Sequence, residues 1–556
     1  MQRRRIVVTL TLLYTVYYNK SCGYDGIYYE HMKKGGSVLI DCLKLLFRKM
    51  CEFGYCPINM KRGIIATLFK GGNKDKRNPN SYRAISLCST VLKVYEKIIL
   101  QKIHELDKIK FHGLQGGFQK NLNCLSTAFM ARECINFARE NDAKLYTCYL
   151  DASQAFDNVD FDILLHKLNT SGVSMQFIKV IISLLKDIYS CVRSDGIKSE
   201  WFEIQKGARQ GQCLSAFFYV VYITSLIEKL DVNRNGLNIN GSSFSCPTVA
   251  DDMMLFSLSP HGLQSMIDIC NKNATEDRYH YNAAKCNVIV FNESKTKFNS
   301  SNRIWNLGEL NIEETTSYTH LGILCDKYHD LSEKVKTCCS KLRRTYFSLN
   351  DYGFNQNALH PLTLKKLYIT TVLPKALFGS ELWNELQPHH LVLLEKAHRT
   401  CIKHIQGMSK NTRTVVALSC LGIYPLEYYI DKRKLLFLGQ LCRTDPSKRI
   451  CVLFLQRLTK YLNNPSSTFG FVPDIYRLLG KYNLKNFLHT YASTASFPNK
   501  TTWRRNVNQA VHGYVENNHA SSANGDSRLV SFLSIHSKVE PSILWIFSTM
   551  YRHYLQ

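Results

Sequence analysis

Residues 247–258, "PTVADDMMLFSL", set two adjacent carboxylates into an otherwise apolar run. The flanks, Phe244–Ala250 and Met253–Leu258, read as buried strands. Burying one unpaired carboxylate costs several kcal/mol, and a like charge beside it adds repulsion. A continuous buried strand is therefore excluded at this point. Three solutions remain: a hairpin tip at the pair, neutralisation by basic side chains, or a divalent cation held by hard oxygen ligands. The dipeptide alone does not choose among them.

The rest of the chain narrows the choice. With 556 residues, 45% of them hydrophobic, it can build several cores, and 31 Tyr and 28 Phe mark it as globular. Its net charge of +27 exceeds what solubility needs and implies a polyanionic partner, nucleic acid or an anionic membrane. The 20 cysteines sit singly, as at Cys88, Cys148 and Cys213, and Cys51/Cys56 is an isolated C-x4-C. That spacing suits buried thiols in a reducing compartment, cytoplasmic and nuclear, better than zinc sites or secretion. Arg3-Arg4-Arg5 precede an apolar stretch, Ile6–Tyr18, which is signal-like but too short to span a bilayer. No other stretch could span one, so no membrane partner is expected. Residues 1–20 are set aside as an uncertain amino-terminal segment.

Periodicity predicts helices over 36–56, 90–105, 126–140, 158–169, 174–188, 214–230 and 260–280. Strands are expected at 63–69, 144–151 and 286–291, with the hairpin at 244–258 and polar loops at 70–80 and 292–302. Beyond about residue 330 strands largely stop, and helices continue with polar breaks near 461–470 and 515–527. In the first of these helices Val335, Cys338, Cys339, Leu342 and Tyr346 form one apolar stripe, while Lys334, Lys341 and Arg344 share another, basic and exposed face.

Asp151 ends the strand in "KLYTCYLDASQAFDNVD", where a lone acid is often a helix cap. If that strand neighbours the Asp251-Asp252 hairpin, three carboxylates reach one sheet edge and can hold two divalent cations. Phosphoryl transfer needs little beyond such positioning and charge neutralisation. Other stretches then fall into order. "LFKGGNKDKRNPNSYRAISL" brings Lys70 and Arg83 around a loop suited to a triphosphate. "KGARQGQCLSAFFYVVYI" places Gln210-Gly211 before a buried helix, and "YNAAKCNVIVF" puts Lys285 at a strand start. Taken singly, Arg83 fits a surface ion pair, Gln210-Gly211 a turn and Lys285 a snorkelling stem.

Together these motifs resemble, in order, those of a reverse transcriptase of the non-LTR (LINE-type) retrotransposon class. "YLDASQAFD", "ARQGQCLS" and "VADDMMLF" resemble its catalytic motifs, "NAAKC" and "THLGI" the two that follow. "KSCGYDGIYYEHMKKGG" and "SYRAISLCSTVLKVYEKII" resemble its fingers segments, so the likeness covers roughly residues 20–440.

The resemblance implies an α/β (α+β) right-hand polymerase. Fingers with the start of the palm would occupy 21–145 and an antiparallel palm carrying the Asp cluster 146–330. A helical thumb would occupy 331–445 and a helical carboxy-terminal extension 446–556. It implies an RNA-directed DNA polymerase with two Mg²⁺ ions, or Mn²⁺, an RNA template, a DNA primer or target, dNTPs, and element RNA as a ribonucleoprotein. Asp151 and Asp251 would ligate metal with Asp252 beside them, and Lys285 would protonate the leaving pyrophosphate. Phe156 would block a ribose 2′-hydroxyl, and Gln210 would contact the nucleotide or template. Leu321-Gly322 would grip the primer, and the thumb's basic face would follow the duplex.

Several positions depart from the family pattern: Val249 before Ala-Asp-Asp, Ala84 and Ala216 in place of prolines, Arg209 before Gln-Gly, and Gln119 in place of Arg. None removes a metal ligand, yet together they leave open a catalytically weak or degenerate copy that only binds RNA. An RNA-dependent RNA polymerase is the other alternative, and an aromatic at 156 speaks against it. Neither an amino-terminal nuclease nor a zinc knuckle is expected, so endonuclease activity would come from elsewhere.

Overall fold

The computed structural model describes residues 19–293 and 303–523, apart from 73, 108 and 120, with scattered residues from 529 to 546. Most of the segment 1–20, residues 294–302 of the expected loop and the far carboxy terminus lie outside the described residues.

The architecture is mixed α/β, in keeping with a right-hand polymerase. The central sheet has six strands in the order 305–307, 310–314, 287–291, 145–151, 252–257, 248–249. It is antiparallel except where 287–291 runs beside 310–314. Strand Leu145–Asp151 is buried at every position but its last, as expected of a sheet centre covered on both faces. Helices Cys124–Glu140, Ser215–Asp231 and Pro260–Glu276 pack around this sheet, each within a few residues of its expected bounds.

A second sheet pairs Gly63–Phe69 antiparallel with Tyr82–Cys88 and parallel with Tyr189–Ser194. The last strand falls in the range expected for the palm, yet it pairs with Gly63–Phe69, in the range expected for the fingers. The helix expected before it, over 174–188, stops at Leu185, and no strand was expected after it. Pairing across more than a hundred residues leaves no local signal that could announce it.

Two hydrophobic cores divide the molecule. The smaller runs from Leu331 to Ile430, in the helical range expected for the thumb. The larger takes in fingers, palm and the carboxy-terminal helices from Leu435 to Val515. Helix Leu426–Cys442, just before the boundary expected at 445, contributes to both cores. The region after it is no appendage, because its apolar faces complete the palm core. The polar break near 461–470 is present as a short turn after Asn463. Of the break expected at 515–527, residues 515–523 lie in helix Lys500–Ala523, with Val515 buried in the larger core, and residues 524–527 lie outside the described residues. A polar exposed face had masked the buried stripe.

No helix among the described residues is long and apolar enough to cross a membrane. None of the 20 cysteines forms a disulfide.

Candidate active site

The Asp-Asp pair sits where its cost is lowest, at the tip of the hairpin between Thr248–Val249 and Asp252–Ser257. Val249 pairs with Asp252, which leaves Ala250 and Asp251 as a two-residue turn. On its other side Asp252 is the register partner of Asp151. Directly opposed residues stand about 5 Å apart at Cα and project from the same sheet face. The three carboxylates therefore meet at one edge. Burial, followed by the nearby Asp151 charge, raises the Asp251 carboxyl above the usual range. Asp252 is pushed up to about 6 by burial and then by Asp251 and Asp151. Crowded, half-buried carboxylates of this kind are the donor chemistry a hard divalent cation neutralises.

The cluster is not a ready-made cage. Among the described residues no three His, Cys, Asp or Glu side chains converge closely enough to ligate a metal as they stand. One reason is visible: Lys285 Nζ donates to Asp151 Oδ2 at 3.1 Å. Lys285 ends a short turn, Ala283–Lys285, whose preceding Asn282 donates its N–H to the Asp151 carbonyl.

Phe156 lies beside the cluster, stacked on Tyr219 at 4.6 Å and 21°. Tyr219 is buried, and its hydroxyl is raised well above the usual range by burial and then by Asp251. Aromatic packing thus links Phe156 to the turn. Its carbonyl accepts the Ala208 N–H at 2.7 Å, which ties it to the Gln210-Gly211 loop. That loop lies along the fingers, with the Ser86 N–H donating to the Gln210 carbonyl at 2.7 Å. Gly211, at φ +128°, could carry no side chain, since a Cβ would stand 2.3 Å from the Ser86 carbonyl oxygen. Arg209, one of the departures from the family pattern, is buried and donates to the Lys61 carbonyl at 2.7 Å. Glu96 holds the same loop through the Cys213 N–H at 2.7 Å. Burial pushes the Glu96 carboxyl up to about 7, against the pull of the Cys213 N–H and Arg209.

Lys70 donates to the Asn80 carbonyl at 2.8 Å, while Arg83 is exposed on the adjoining strand. The Lys70 ammonium is lowered by burial and then by Lys74, Lys285 and Arg83, so these four cations share one zone. Leu321 and Gly322, both at positive φ, form the two-residue turn of the hairpin 317–326. That hairpin packs on strand Leu145–Asp151 through Tyr318 against Tyr149, 4.9 Å between rings, and Tyr318 donates to the Lys285 carbonyl at 3.1 Å.

The expected basic face of helix Ser332–Asn350 holds only in part. Lys341 and Arg344 are exposed. Lys334 is half-buried against the palm instead, and burial, then Arg132, pushes its ammonium down to about 8. Its position one turn into the helix, where the thumb meets the palm, is the reason, and helical periodicity cannot register it.

Gln115, Glu96, Tyr219 and Tyr318 were not singled out by sequence. Gln115 hides in "LQGGF", which reads as a turn, and the others sit inside apolar or amphipathic runs.

An antiparallel palm bearing three carboxylates, beside a fingers sheet and a helical thumb, defines a right-hand polymerase. Residues 73–325 match the family described as reverse transcriptase (RNA-dependent DNA polymerase). The chain is 24% identical over 384 residues to the RNA-directed DNA polymerase from mobile element jockey of Drosophila funebris, covering 67% of this chain and 40% of that protein. It is 23% identical to the probable RNA-directed DNA polymerase from transposon X-element of Drosophila melanogaster, over 70% of this chain and 42% of the relative. The Pol polyprotein from retrotransposable element R2 of Nasonia vitripennis is 22% identical over 53% of this chain and 29% of its own length. Telomerase from Candida albicans, in complex with a telomeric RNA fragment, aligns at a TM-score of 0.37 with 11% identity, over 76% of this chain and 66% of that one. Residues 73–325 are thus similar to reverse transcriptases, and the curated relatives that the chain resembles are RNA-directed DNA polymerases of non-LTR retrotransposons. It spans about two fifths or less of the length of these curated relatives.

Proposed function

We propose that this chain is an RNA-directed DNA polymerase that extends a DNA primer on an RNA template with dNTPs, with Mg²⁺ as its ion and Mn²⁺ as a substitute. The observation that carries the reading is the register pair Asp151–Asp252 with Asp251 at the adjoining turn. Two divalent ions held there would supply the charge stabilisation that nucleotidyl transfer requires at the attacking and leaving oxygens. Asp151 and Asp251 bind and orient that charge, with Asp252 beside them. Lys285 holds Asp151 in the unliganded site and is placed to pass a proton to the leaving pyrophosphate. Lys70 and Arg83 grip the triphosphate. Phe156, backed by Tyr219, forms the floor under the sugar and excludes a 2′-hydroxyl. Gln210-Gly211 abut the nucleotide or template, Leu321-Gly322 steer the primer terminus, and Lys341 and Arg344 track the duplex backbone. Element RNA, carried as a ribonucleoprotein, is the template that fits this assignment.

Primer extension on an RNA template with purified protein and Mg²⁺ tests the reading. Incorporation of dNTPs in preference to NTPs supports it. Retained RNA binding without synthesis would replace it with a degenerate RNA-binding copy, and preferential use of NTPs would replace it with an RNA polymerase.

A further inference from the structure

The Asp-Asp turn places a poor residue at its first position. Ala250 is held at φ +55°, a left-handed conformation that glycine or asparagine takes far more readily. Something must over-determine it. The Ala250 N–H points inward and donates to Gln115 Oε1 at 2.9 Å. The same oxygen accepts the Gly117 N–H at 2.7 Å, and Gln115 is fully buried. Two converging N–H donors settle the amide's orientation, because only its oxygen can accept.

The surrounding backbone strengthens the arrangement. Strand Thr248–Val249 is two residues long and ends the sheet. Its outer side is met by Leu114–Gly117: the Thr248 N–H donates to the Leu114 carbonyl at 2.9 Å, and the Gly116 N–H to the Thr248 carbonyl at 2.7 Å. Gly117 approaches so closely that a Cβ there would stand 2.7 Å from the Ala250 nitrogen. The turn is thus inlaid between the catalytic strand on one side and this segment on the other.

We propose that Gln115 is a positioning residue for catalysis, its amide oxygen fixing the Ala250 peptide and so aiming the next residue, Asp251, at the divalent cation. The inference rests on the assignment of Asp251 as a metal ligand. A hydrocarbon at 115 would leave the Ala250 and Gly117 N–H groups buried without an acceptor, and the turn would relax toward a conformation alanine prefers. Asp251 would swing with it. Groups that orient metal ligands commonly change metal affinity or activity by about 10–100-fold when replaced.

The test is a Mn²⁺ titration of the full chain without nucleic acid, read from the electron paramagnetic resonance signal of free hydrated Mn²⁺. Wild type, Gln115→Leu, Gln115→Glu and Asp251→Asn are compared well below each protein's melting temperature. Gln115→Leu is expected to weaken Mn²⁺ binding by about 10-fold or more. Gln115→Glu, which keeps an acceptor at the same reach, retains at least wild-type affinity, and Asp251→Asn loses the tight site. Should Gln115→Leu fail to fold, Gln115→Asn, one methylene short, takes its place with the same expectation. If Asp251→Asn binds like wild type, the metal assignment itself fails. If Asp251→Asn weakens binding while Gln115→Leu (or Asn) only lowers the melting temperature, Gln115 is a structural residue and the inference is overturned.

Discussion

Helix Cys124–Glu140 makes two joints of opposite character. Toward the carboxy-terminal layer it presents Glu133 and Glu140, which enclose the buried Arg457. Arg457 donates to Glu133 Oε2 at 2.8 Å, to Glu140 Oε2 at 2.6 Å and to the Phe469 carbonyl at 2.8 Å. The N–H groups of Phe469 and Phe471 and the ammonium of Lys460 supply further donors to the two carboxylates. Toward the thumb the same helix presents Arg132. One of its nitrogens meets His329 Nδ1 at 3.2 Å, but the buried Nε has no protein partner. His320 Nε2, Glu381 Oε2, Asn384 Oδ1 and Arg433 Nε are buried in the same condition. A cavity of about 40 Å³ lies there, bordered by Arg132, His320, Lys334 and Trp383.

A saturated buried network resists rearrangement, since moving any member strands another; a joint whose polar atoms lack fixed partners has less to lose. The joint to the carboxy-terminal layer is therefore the more fully satisfied of the two, although Arg433 pairs with Glu381 at 2.6 Å on the thumb side. A polymerase that must admit and translocate a duplex needs its catalytic edge on the more fully satisfied side.

The largest expected effect lies at that edge and should leave both joints intact. Asp251→Asn lowers the rate of primer extension by at least about 10³-fold, because an amide cannot balance a divalent cation. Template–primer affinity stays nearly unchanged, because dispersed basic residues supply it. Substantial Mg²⁺-dependent synthesis by the mutant would remove the catalytic edge from this hairpin.

Breaking the satisfied joint comes next. Arg457→Met leaves Glu133 buried without a cation and Glu140 with Lys460 alone, a loss of about 3–5 kcal/mol. Burial alone would raise the Glu140 carboxyl, but Arg457, Lys460 and the Phe469 N–H outweigh it and hold it below 4.5. A depressed carboxyl stabilises above its unfolded pKa, and the gain is lost as pH falls through the folded value. Wild type should therefore lose stability more steeply than Arg457→Met below about pH 4.5. Urea unfolding at pH 7 and pH 4 reads both. A loss under about 1 kcal/mol at pH 7 would make this joint no firmer than the thumb's.

Sequence reading brought out the carboxylate edge and missed the joints, for one physical reason. Asp151, Asp251 and Asp252 violate the apolar pattern of the strands that carry them, and a violated local pattern is visible from sequence. The motif order then placed Lys285, Phe156 and Gln210-Gly211 near them. Glu133 and Arg457 lie 324 positions apart, each reading as an ordinary charge on an amphipathic helix. Gln115 carries no signal that singles it out, and strand Tyr189–Ser194 no local sign of the sheet it joins. What decides these is a partner distant in sequence. Lys334 shows the same limit within one helix: its periodicity matches Lys341 and Arg344, but a different neighbour covers it.

Phe156 tests how closely the edge shapes the sugar site. Phe156→Val should lower the preference for dTTP over UTP by up to about 100-fold, read as the ratio of kcat/KM values on one RNA template. It should also cost about 1–3 kcal/mol of stability, because the ring packs on Tyr219 as well as gating. Lost stability with an unchanged preference would make the ring a packing residue alone.

The smallest effects separate the covered from the open face of the same thumb helix. Exposed Lys341 and Arg344 should release counterions on binding. Changing both to Gln should flatten the slope of log K against log salt by about 1.4–1.8. Lys334→Met should leave that slope unchanged and act on stability instead. The Lys334 ammonium is pushed down to about 8 from 10.5. The folded state thus binds its proton more weakly than the unfolded chain does, and a charged Lys334 costs stability at pH 7. Its partial exposure discounts the full shift, which leaves Lys334→Met about 1–2 kcal/mol more stable at pH 7. That advantage should shrink as pH rises from about 8 to beyond 10.5, where both states lose the proton. If Lys334→Met instead lowers the salt slope by about one unit, Lys334 reaches the nucleic acid after all and the thumb closes far enough to expose it.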